Sequence, residues 1–124
     1  IIVTEKTVRL TGTTLEDDAG CPRQDNIAHL KIGDELKGSV ESKYDDDFNE
    51  TKWVVIKDED YAEIGDIRGL DSDLIIEAAK HGHIIKFSVA KLKETNLGKI
   101  NVHVLVRTYT KKEAEKLAAL GLNQ

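Results

Sequence analysis

The sequence of 124 residues lacks most of the features that identify a function directly. With one cysteine it cannot form an internal disulfide, and Cys21 has no second thiolate with which to hold a metal ion. No apolar run is long enough to span a bilayer, and there is no internal repeat, linker or Gly-rich phosphate loop. We therefore predict one cytoplasmic domain over residues 1–124 that needs no cofactor and contacts no membrane. Because the chain opens at Ile1, it is also compatible with a domain cut from a longer protein.

The net charge is acidic, with 18 Lys and Arg against 23 Asp and Glu, which gives −5. Binding to a phosphate backbone is driven by Lys and Arg, so this balance disfavours nucleic-acid binding without excluding it. The acids concentrate in three clusters, Glu16-Asp17-Asp18, Asp45-Asp46-Asp47 and Asp58-Glu59-Asp60. All three fall in predicted loops, which leaves room for a basic surface elsewhere.

The stretch from Lys52 to Ile67 has the clearest structural pattern. Its first part, Trp53 to Ile56, is an aromatic and β-branched run that is typical of a buried strand. A polar break of hairpin length follows, and an extended pattern then resumes and stops at Gly65. The pattern predicts a β-hairpin on which the rest of the chain packs.

Alternation of apolar and polar residues predicts four further strands, over residues 7–14, 34–43, 83–93 and 99–109. Gly12 inside the first of them suggests a bulge or a close approach. Apolar spacing predicts a short helix over 24–30 and a longer one over 70–82, capped by Asp71 or Ser72 with Leu74 facing inward. Capping-box spacing at Thr110 starts a terminal helix. We predict a mainly β (α+β) fold, a small six-stranded OB-like or SH3-like antiparallel barrel with one inserted and one C-terminal helix.

No grouping of residues in the sequence supports catalysis or metal binding. Cys21 lies in a loop that no pattern connects to a histidine, and the paired acids lie in solvated clusters. His81 and His83 straddle the end of the predicted helix without a third ligand, which favours a surface pair. The 45–49 segment begins like a calcium loop but lacks the glycine and glutamate that such a loop requires. We therefore predict that the protein is not an enzyme.

Several short motifs follow one another in a recognisable order. They are Gly12, Leu30-x-x-Gly33-Asp34-x-Leu36, Phe48-Asn49-x-x-x-Trp53-x-Val55, Glu63-Ile64-Gly65 and the helix from Leu74 to Gly82. In this order the chain resembles a divergent, bacterial-type member of the HIRAN domain family. The resemblance covers a core of about residues 7–92 and leaves the last strand and helix, 99–120, outside. It implies an OB-like barrel that binds single-stranded DNA at a free 3′ end and targets a helicase, nuclease or other DNA-processing protein.

Binding of single-stranded DNA relies on bases stacked on aromatic side chains and on cations that contact phosphates. We predict that Tyr44 and Phe48 stack, with Asn49 and Lys52 beside them, whereas Trp53 is expected in the core. Lys43 and Arg9 are the further phosphate contacts. The fifth and sixth strands carry Lys86, Lys91, Lys93, Lys99 and Arg107, which line a groove or only keep the surface soluble. The alternative is a protein-interaction or structural barrel that has lost DNA binding, which an acidic rim around Phe48 would favour.

Overall fold

We describe a computed structural model of the chain over residues 4–17 and 19–121. The strands are β1 Thr4–Arg9, β2 Glu35–Tyr44, β3 Glu50–Lys57, β4 Glu63–Ile67, β5 Ile84–Glu94 and β6 Ile100–Tyr109. The helices are α1 Arg23–Ile27, α2 Leu70–Lys80 and α3 Lys111–Ala119. The strands form one antiparallel sheet in the order β1-β6-β5-β2-β3-β4. The predicted mainly β, α+β class with six antiparallel strands is confirmed. Asp18, part of the first predicted acidic cluster, lies outside the described residues.

The predicted central hairpin is present as β3 and β4, which pair antiparallel with Val54 opposite Ile67. Its strands are rich in β-branched residues, which pack well on a pleated surface. β4 runs to Ile67, two residues beyond the predicted end at Gly65, because Asp66 remains paired with Val55.

The first strand lies earlier than the predicted 7–14 segment, because the chain turns at Gly12. This residue has a φ of +67°, and the N–H of Leu15 donates to its carbonyl oxygen at 3.1 Å. Just before the turn, Thr11 and Asp66 exchange two backbone hydrogen bonds of 2.9 and 2.8 Å. The segment that follows β1 therefore lies against β4, although the two strands stand at opposite ends of the sheet order.

A single apolar cluster fills the inner side of the sheet. Its buried members include Leu36, Val54, Ile56, Ile64, Phe87, Val89, Val102 and Val104. Leu30 and the α2 residues Ile75 and Ile76 pack against this cluster from its margin. The alternating strand positions predicted from the sequence thus supply the core, as expected for a sheet with one buried face.

Three details of the predicted helices are wrong. The longer helix is not capped by Asp71 or Ser72, because Gly69 occupies the N-cap and the buried Ser72 hydroxyl donates to the Gly69 carbonyl oxygen at 2.8 Å. Leu74, predicted to face inward, is 56% exposed, whereas Ile75 and Ile76 pack against the core cluster. α1 begins at Arg23 and ends at Ile27, rather than covering 24–30.

The last strand and helix attach differently to the rest of the domain. β6 lies between β1 and β5 and pairs with both, so it is an integral strand of the sheet. α3 follows it directly and buries none of its described residues. No helix in the described part of the chain has the length and apolar character needed to cross a membrane.

Candidate nucleic-acid interface

The β2–β3 turn, residues 45–49 and here named the hairpin tip, holds an aromatic side chain out into solvent. Asp45 organises the turn, because its Oδ1 accepts hydrogen bonds from the backbone N–H groups of Asp47 and Asn49, each at 2.9 Å. The Asn49 side chain donates to Asp45 Oδ2 at 3.2 Å. Phe48 completes the turn with a φ of +60° and is 85% exposed. A bulky residue in this conformation is strained, since its Cβ crowds the backbone.

The hydrogen bonds of the tip also affect the protonation of Asp45. The backbone N–H of Asn49 is the main cause that lowers the pKa of Asp45 below its ordinary value, with further help from the Asn49 side chain and the Asp47 N–H. These donors favour the ionised carboxylate. The turn is therefore held by a charged acceptor at neutral pH.

The same turn geometry recurs at three other places among the described residues. Asp17, Asp58 and Thr95 each begin such a turn and accept a hydrogen bond from the backbone N–H four residues later. The left-handed position is occupied by glycine in two of the three turns and by Tyr61 in the third, with φ of +65°. Tyr61 is 67% exposed, and Lys37 Nζ lies 4.0 Å from the centre of its ring. Aromatic residues at a position suited to glycine are thus a feature of both turns that flank β3.

A group of cationic and aromatic side chains lies at the base of the hairpin tip. The guanidinium carbon of Arg68 lies 3.7 Å from the centre of the Trp53 ring, and Lys43 Nζ lies 5.8 Å from it. We name these three side chains the hairpin face. Trp53, expected in the core, is only partly buried, because it faces the opposite side of β3 from the core residues Val54 and Ile56.

Arg68 is held in place by a buried polar cluster. Its Nη2 donates to Asp66 Oδ2 at 2.9 Å, and Arg23 Nη1 donates to the same oxygen at 3.0 Å. Arg23 also donates to Glu63 at 2.7 Å. Burial by itself lowers the pKa of Arg23, but its hydrogen bonds to Asp66 and Glu63 outweigh this effect and raise the pKa above its ordinary value. Charges this deeply buried require such pairing.

Gly12 is the position around which the polar cluster closes. A Cβ atom placed there would lie 2.7 Å from Asp66 Oδ2 and 3.1 Å from Arg23 Nη1. Its carbonyl oxygen also accepts from Arg23 Nη1 at 3.1 Å. The close approach suggested by a glycine at this point in the sequence is therefore confirmed, and it is made to side chains of the cluster.

The structure places the predicted binding residues on several surfaces. Phe48 and Asn49 lie in the exposed hairpin tip, whereas Tyr44 is the last residue of β2 and lies on the same side of the hairpin as Lys52. Lys43 lies on the hairpin face, whereas Lys52, whose side chain is 52% exposed, points to the other side of the hairpin. There Lys52 lines a shallow pocket with Lys80, Ile76 and the carboxylates Glu50, Asp73 and Glu77.

Arg9 lies on β1, where it pairs with His103 of β6. Two residues further along the chain, Thr11 pairs with Asp66 of β4, so the end of β1 approaches the β4 side of the hairpin. Of the basic residues predicted to line a groove, Lys86 and Arg107 lie in a cleft beside β2, whereas Lys93 and Lys99 lie near the far turn between β5 and β6.

Sequence reasoning missed the two arginines of the site. Arg68 directly follows β4, and strand alternation continued by one residue places it on the same face as Asp66, which is a signal that could have suggested their ion pair. Arg23 gives no such signal, since 43 residues separate it from its partner Asp66.

Within the described part of the chain, no three His, Cys, Asp or Glu side chains are grouped so that they could hold a metal ion. His81 instead lies 3.2 Å from Glu77 at the end of α2, and its ring centre is 6.4 Å from that of His83. Comparisons of the chain with protein-family models, with curated proteins and with solved structures found no match.

Proposed function

We propose that this chain is a non-catalytic module that binds single-stranded DNA on the hairpin face and hairpin tip. The observation that carries the proposal is the arrangement of Arg68 and Lys43 around the partly exposed Trp53. Cations close to an aromatic surface match the combination of phosphates and bases along a single strand. Asp66 does not oppose this role as a free anion, because it is 1% exposed and neutralised by Arg23.

The hairpin tip supplies the stacking surface in this proposal. Phe48 is 85% exposed, and Tyr44, which is 64% exposed, adjoins the tip on the side of the hairpin opposite Lys43, so a strand that stacks on both rings passes over the tip. The turn holds Phe48 in one backbone conformation, which reduces the entropy lost when a base stacks on it. Asn49 adjoins Phe48, but its side-chain nitrogen is engaged by Asp45.

The HIRAN resemblance supports a more specific form of the proposal. In that form the sheet is an OB-like or SH3-like barrel completed where Thr11 meets Asp66, and the bound strand presents a free 3′ end. The module would then bring a helicase, nuclease or other DNA-processing chain to that end. These properties rest on the resemblance, whereas the stacking site rests on the exposed residues of the hairpin.

Fluorescence anisotropy with a labelled strand of about eight nucleotides, a site size typical of such modules, tests the proposal. We expect Phe48→Ala to weaken binding by about tenfold, because one stacked base contributes about 1–3 kcal/mol. Leu97→Ala is the matched control, since Leu97 is 88% exposed at the tip of another turn. Equal binding by the wild type and Phe48→Ala, or no binding at low salt, would refute the proposal.

Two further arms of the same experiment test the electrostatic and end-recognition parts. With about two or three phosphate contacts, log Kd should rise with log salt concentration with a slope of about 2. Arg68→Ala should lower this slope, whereas Lys93→Ala should not. A 3′-phosphorylated strand that binds as tightly as the 3′-hydroxyl strand would remove end recognition while leaving strand binding in place.

The second candidate is a protein-interaction domain, and one observation favours it. The neighbours of Phe48 include the carboxylates Asp46, Asp47 and Glu50, which repel phosphates. An exposed aromatic ring with an acidic rim is typical of a contact for a basic protein surface. Absence of DNA binding at low salt would favour this candidate.

A further inference from the structure

The edge of β2 that faces β5 is unpaired along most of its length, and it lies apart from the hairpin face. β2 pairs with β3 along Lys37 to Tyr44, but it pairs with β5 only at Glu35 and Leu36. Beyond Leu36 the two strands separate, and the residues Gly38, Val40, Ser42 and Tyr44 are all exposed. A long exposed strand edge presents unpaired N–H and C=O groups that can pair with another chain.

A packing contact lies next to the point where the two strands separate. A Cβ atom on Gly38 would lie 2.6 Å from Cε2 of the Phe87 ring, so this ring packs directly over the Gly38 backbone. Phe87 is buried and is itself the β5 residue that pairs with Leu36. The first residues of the free edge are therefore held from the core side.

The backbone register shows which main-chain groups face the opening. Val89 donates its N–H to Asp34 and accepts from Gly33 at 2.9 and 2.8 Å, so its main-chain groups point toward β2. Alternate residues of a strand direct these groups to the same side, so Ile85 points them there too. On β2, Leu36 is paired with Phe87, so its main-chain groups point toward β5. By the same alternation, the main-chain groups of Gly38 and Val40 also point toward the opening.

The space between the strands, which we name the β2–β5 cleft, has a volume of about 750 Å³. Its basic lining residues are Lys37, Lys86 and Arg107, against the single carboxylate of Glu35. The remaining lining is largely apolar, with Ile32, Leu36, Ile85, Phe87, Val89, Leu105 and Tyr109.

Arg107 lines the cleft and also forms an ion pair with β1. Its side chain is 36% exposed, and its Nε lies 3.4 Å from Glu5 Oε2, so part of its charge is balanced by that carboxylate.

We propose that the β2–β5 cleft binds an extended acidic polypeptide segment by strand addition to the free edge of β2. Alternating main-chain donors and acceptors on Gly38, Val40 and Ile85 match the backbone of an extended peptide, and nucleic acid offers no such array. Lys37, Lys86 and Arg107 select acidic side chains, while Ile85 and Leu105 accept apolar ones. The site is separate from the hairpin face, so a partner peptide and a DNA strand can be held at the same time.

The probe for this inference is a synthetic peptide of about eight residues in which Glu alternates with Val, a length typical of a strand. Titration by NMR should perturb the amides of Gly38, Val40 and Ile85, and hydrogen exchange at these amides should slow. The same peptide with alternate N-methylated amides keeps its charge and loses its donors. We expect this analogue to bind at least about tenfold more weakly, since several backbone hydrogen bonds of about 1 kcal/mol each are lost.

Charge reversal at one cleft residue gives a second readout that does not require the edge to be changed. We expect Lys86→Glu to weaken peptide binding by about tenfold, because close charge pairs at interfaces contribute strongly to affinity. Lys93→Glu, at an exposed site on the same strand, changes the net charge equally and should weaken peptide binding less than twofold. Val40→Pro removes a donor on the cleft side and is expected to weaken binding as well.

Three outcomes would overturn the inference. They are equal binding by the N-methylated analogue, equal effects of Lys86→Glu and Lys93→Glu, and displacement of the peptide from the cleft by single-stranded DNA. The proposed DNA function is judged separately, because Phe48→Ala should leave peptide binding unchanged and Lys86→Glu should leave stacking at the hairpin tip unchanged.

Discussion

Gly12 combines a left-handed backbone with a side-chain site that is already filled. We expect Gly12→Ala to reduce the free energy of unfolding by about 3 kcal/mol or more, because an L residue is strained at this φ and its Cβ would displace the buried Asp66–Arg23 pair. Urea denaturation monitored by circular dichroism measures the loss. Gly98→Ala is the control, since Gly98 has a φ of +74° with nothing within 4 Å, and it should lose only about 1–2 kcal/mol. Similar losses for both variants would show that the cluster tolerates a methyl group.

Phe48 has a left-handed backbone conformation, which favours glycine. Because the side chain is exposed, Phe48→Gly relieves backbone strain and sacrifices little packing. We expect this change to raise the free energy of unfolding by about 0.5–1 kcal/mol, net of the greater entropy of glycine in the unfolded chain. Leu97→Gly, at an exposed turn position without positive φ, should instead be destabilising. A stabilised Phe48→Gly variant that no longer binds its ligand would indicate that the strain is kept for function.

At the scale of the element, the hairpin tip depends on one ionised side chain. The pKa of Asp45 is lowered in the folded chain, chiefly by the Asn49 N–H, so its contribution is present above the unfolded pKa. That contribution is lost as the pH falls through the folded value, which lies below the ordinary pKa of about 3.9. We expect the amide signals of residues 46–49 to shift together below about pH 4 in an NMR titration.

Two variants identify the group that is responsible for this transition. Asp45→Asn keeps an acceptor oxygen but cannot titrate, so the shift of the tip amides should disappear. Asp47→Asn changes the charge of the same cluster without touching the Asp45 side chain, and the shift should remain. A transition that survives in Asp45→Asn would assign the pH dependence to another group.

α3 is the element with the least tertiary support. Thr110 Oγ1 accepts the N–H of Glu113 at 3.1 Å, which confirms the predicted cap, but no described residue of the helix is buried. Thr110→Ala should destabilise the helix by about 1 kcal/mol, whereas Thr110→Ser should be nearly neutral. Amide hydrogen exchange should quicken in α3 and stay unchanged in β6, since such a helix opens locally. Faster exchange in both elements would contradict this separation.

At the scale of the whole molecule, the cluster of Arg23, Glu63, Asp66 and Arg68 links α1 and β4 to the segment after β1. Arg23→Ala leaves Asp66, which is 1% exposed, with a buried charge that only Arg68 balances. We expect a loss of about 3–5 kcal/mol, and a smaller loss for Arg68→Ala, because the Arg68 side chain is 34% exposed. Urea denaturation of both variants tests this order, and a larger loss for Arg68→Ala would reverse the assignment.

Much of the fold follows from local patterns. The β3–β4 hairpin, the β5 and β6 strands and the Thr110 cap were all predicted from residues that lie next to one another in sequence. Alternation, turn residues and capping depend on neighbours along the chain, so they can be read before any tertiary contact is known. Tyr44 and Phe48, predicted to stack on bases, are both exposed, Phe48 in the turn and Tyr44 as the last residue of β2.

What only the tertiary structure decided depends on contacts between distant residues. Asp66 is neutralised by Arg23 across 43 positions, and Trp53 meets Arg68 only because β3 and β4 pair in one register. The β2–β5 cleft likewise depends on where the pairing of β2 with β5 ends, beside the contact of Phe87 with Gly38. Burial and charge pairing are set by which strands become neighbours, and the local pattern of a strand is the same whichever partner it meets. The sequence therefore determined most of the strands and helices, while the packing determined the charged cluster and the cleft.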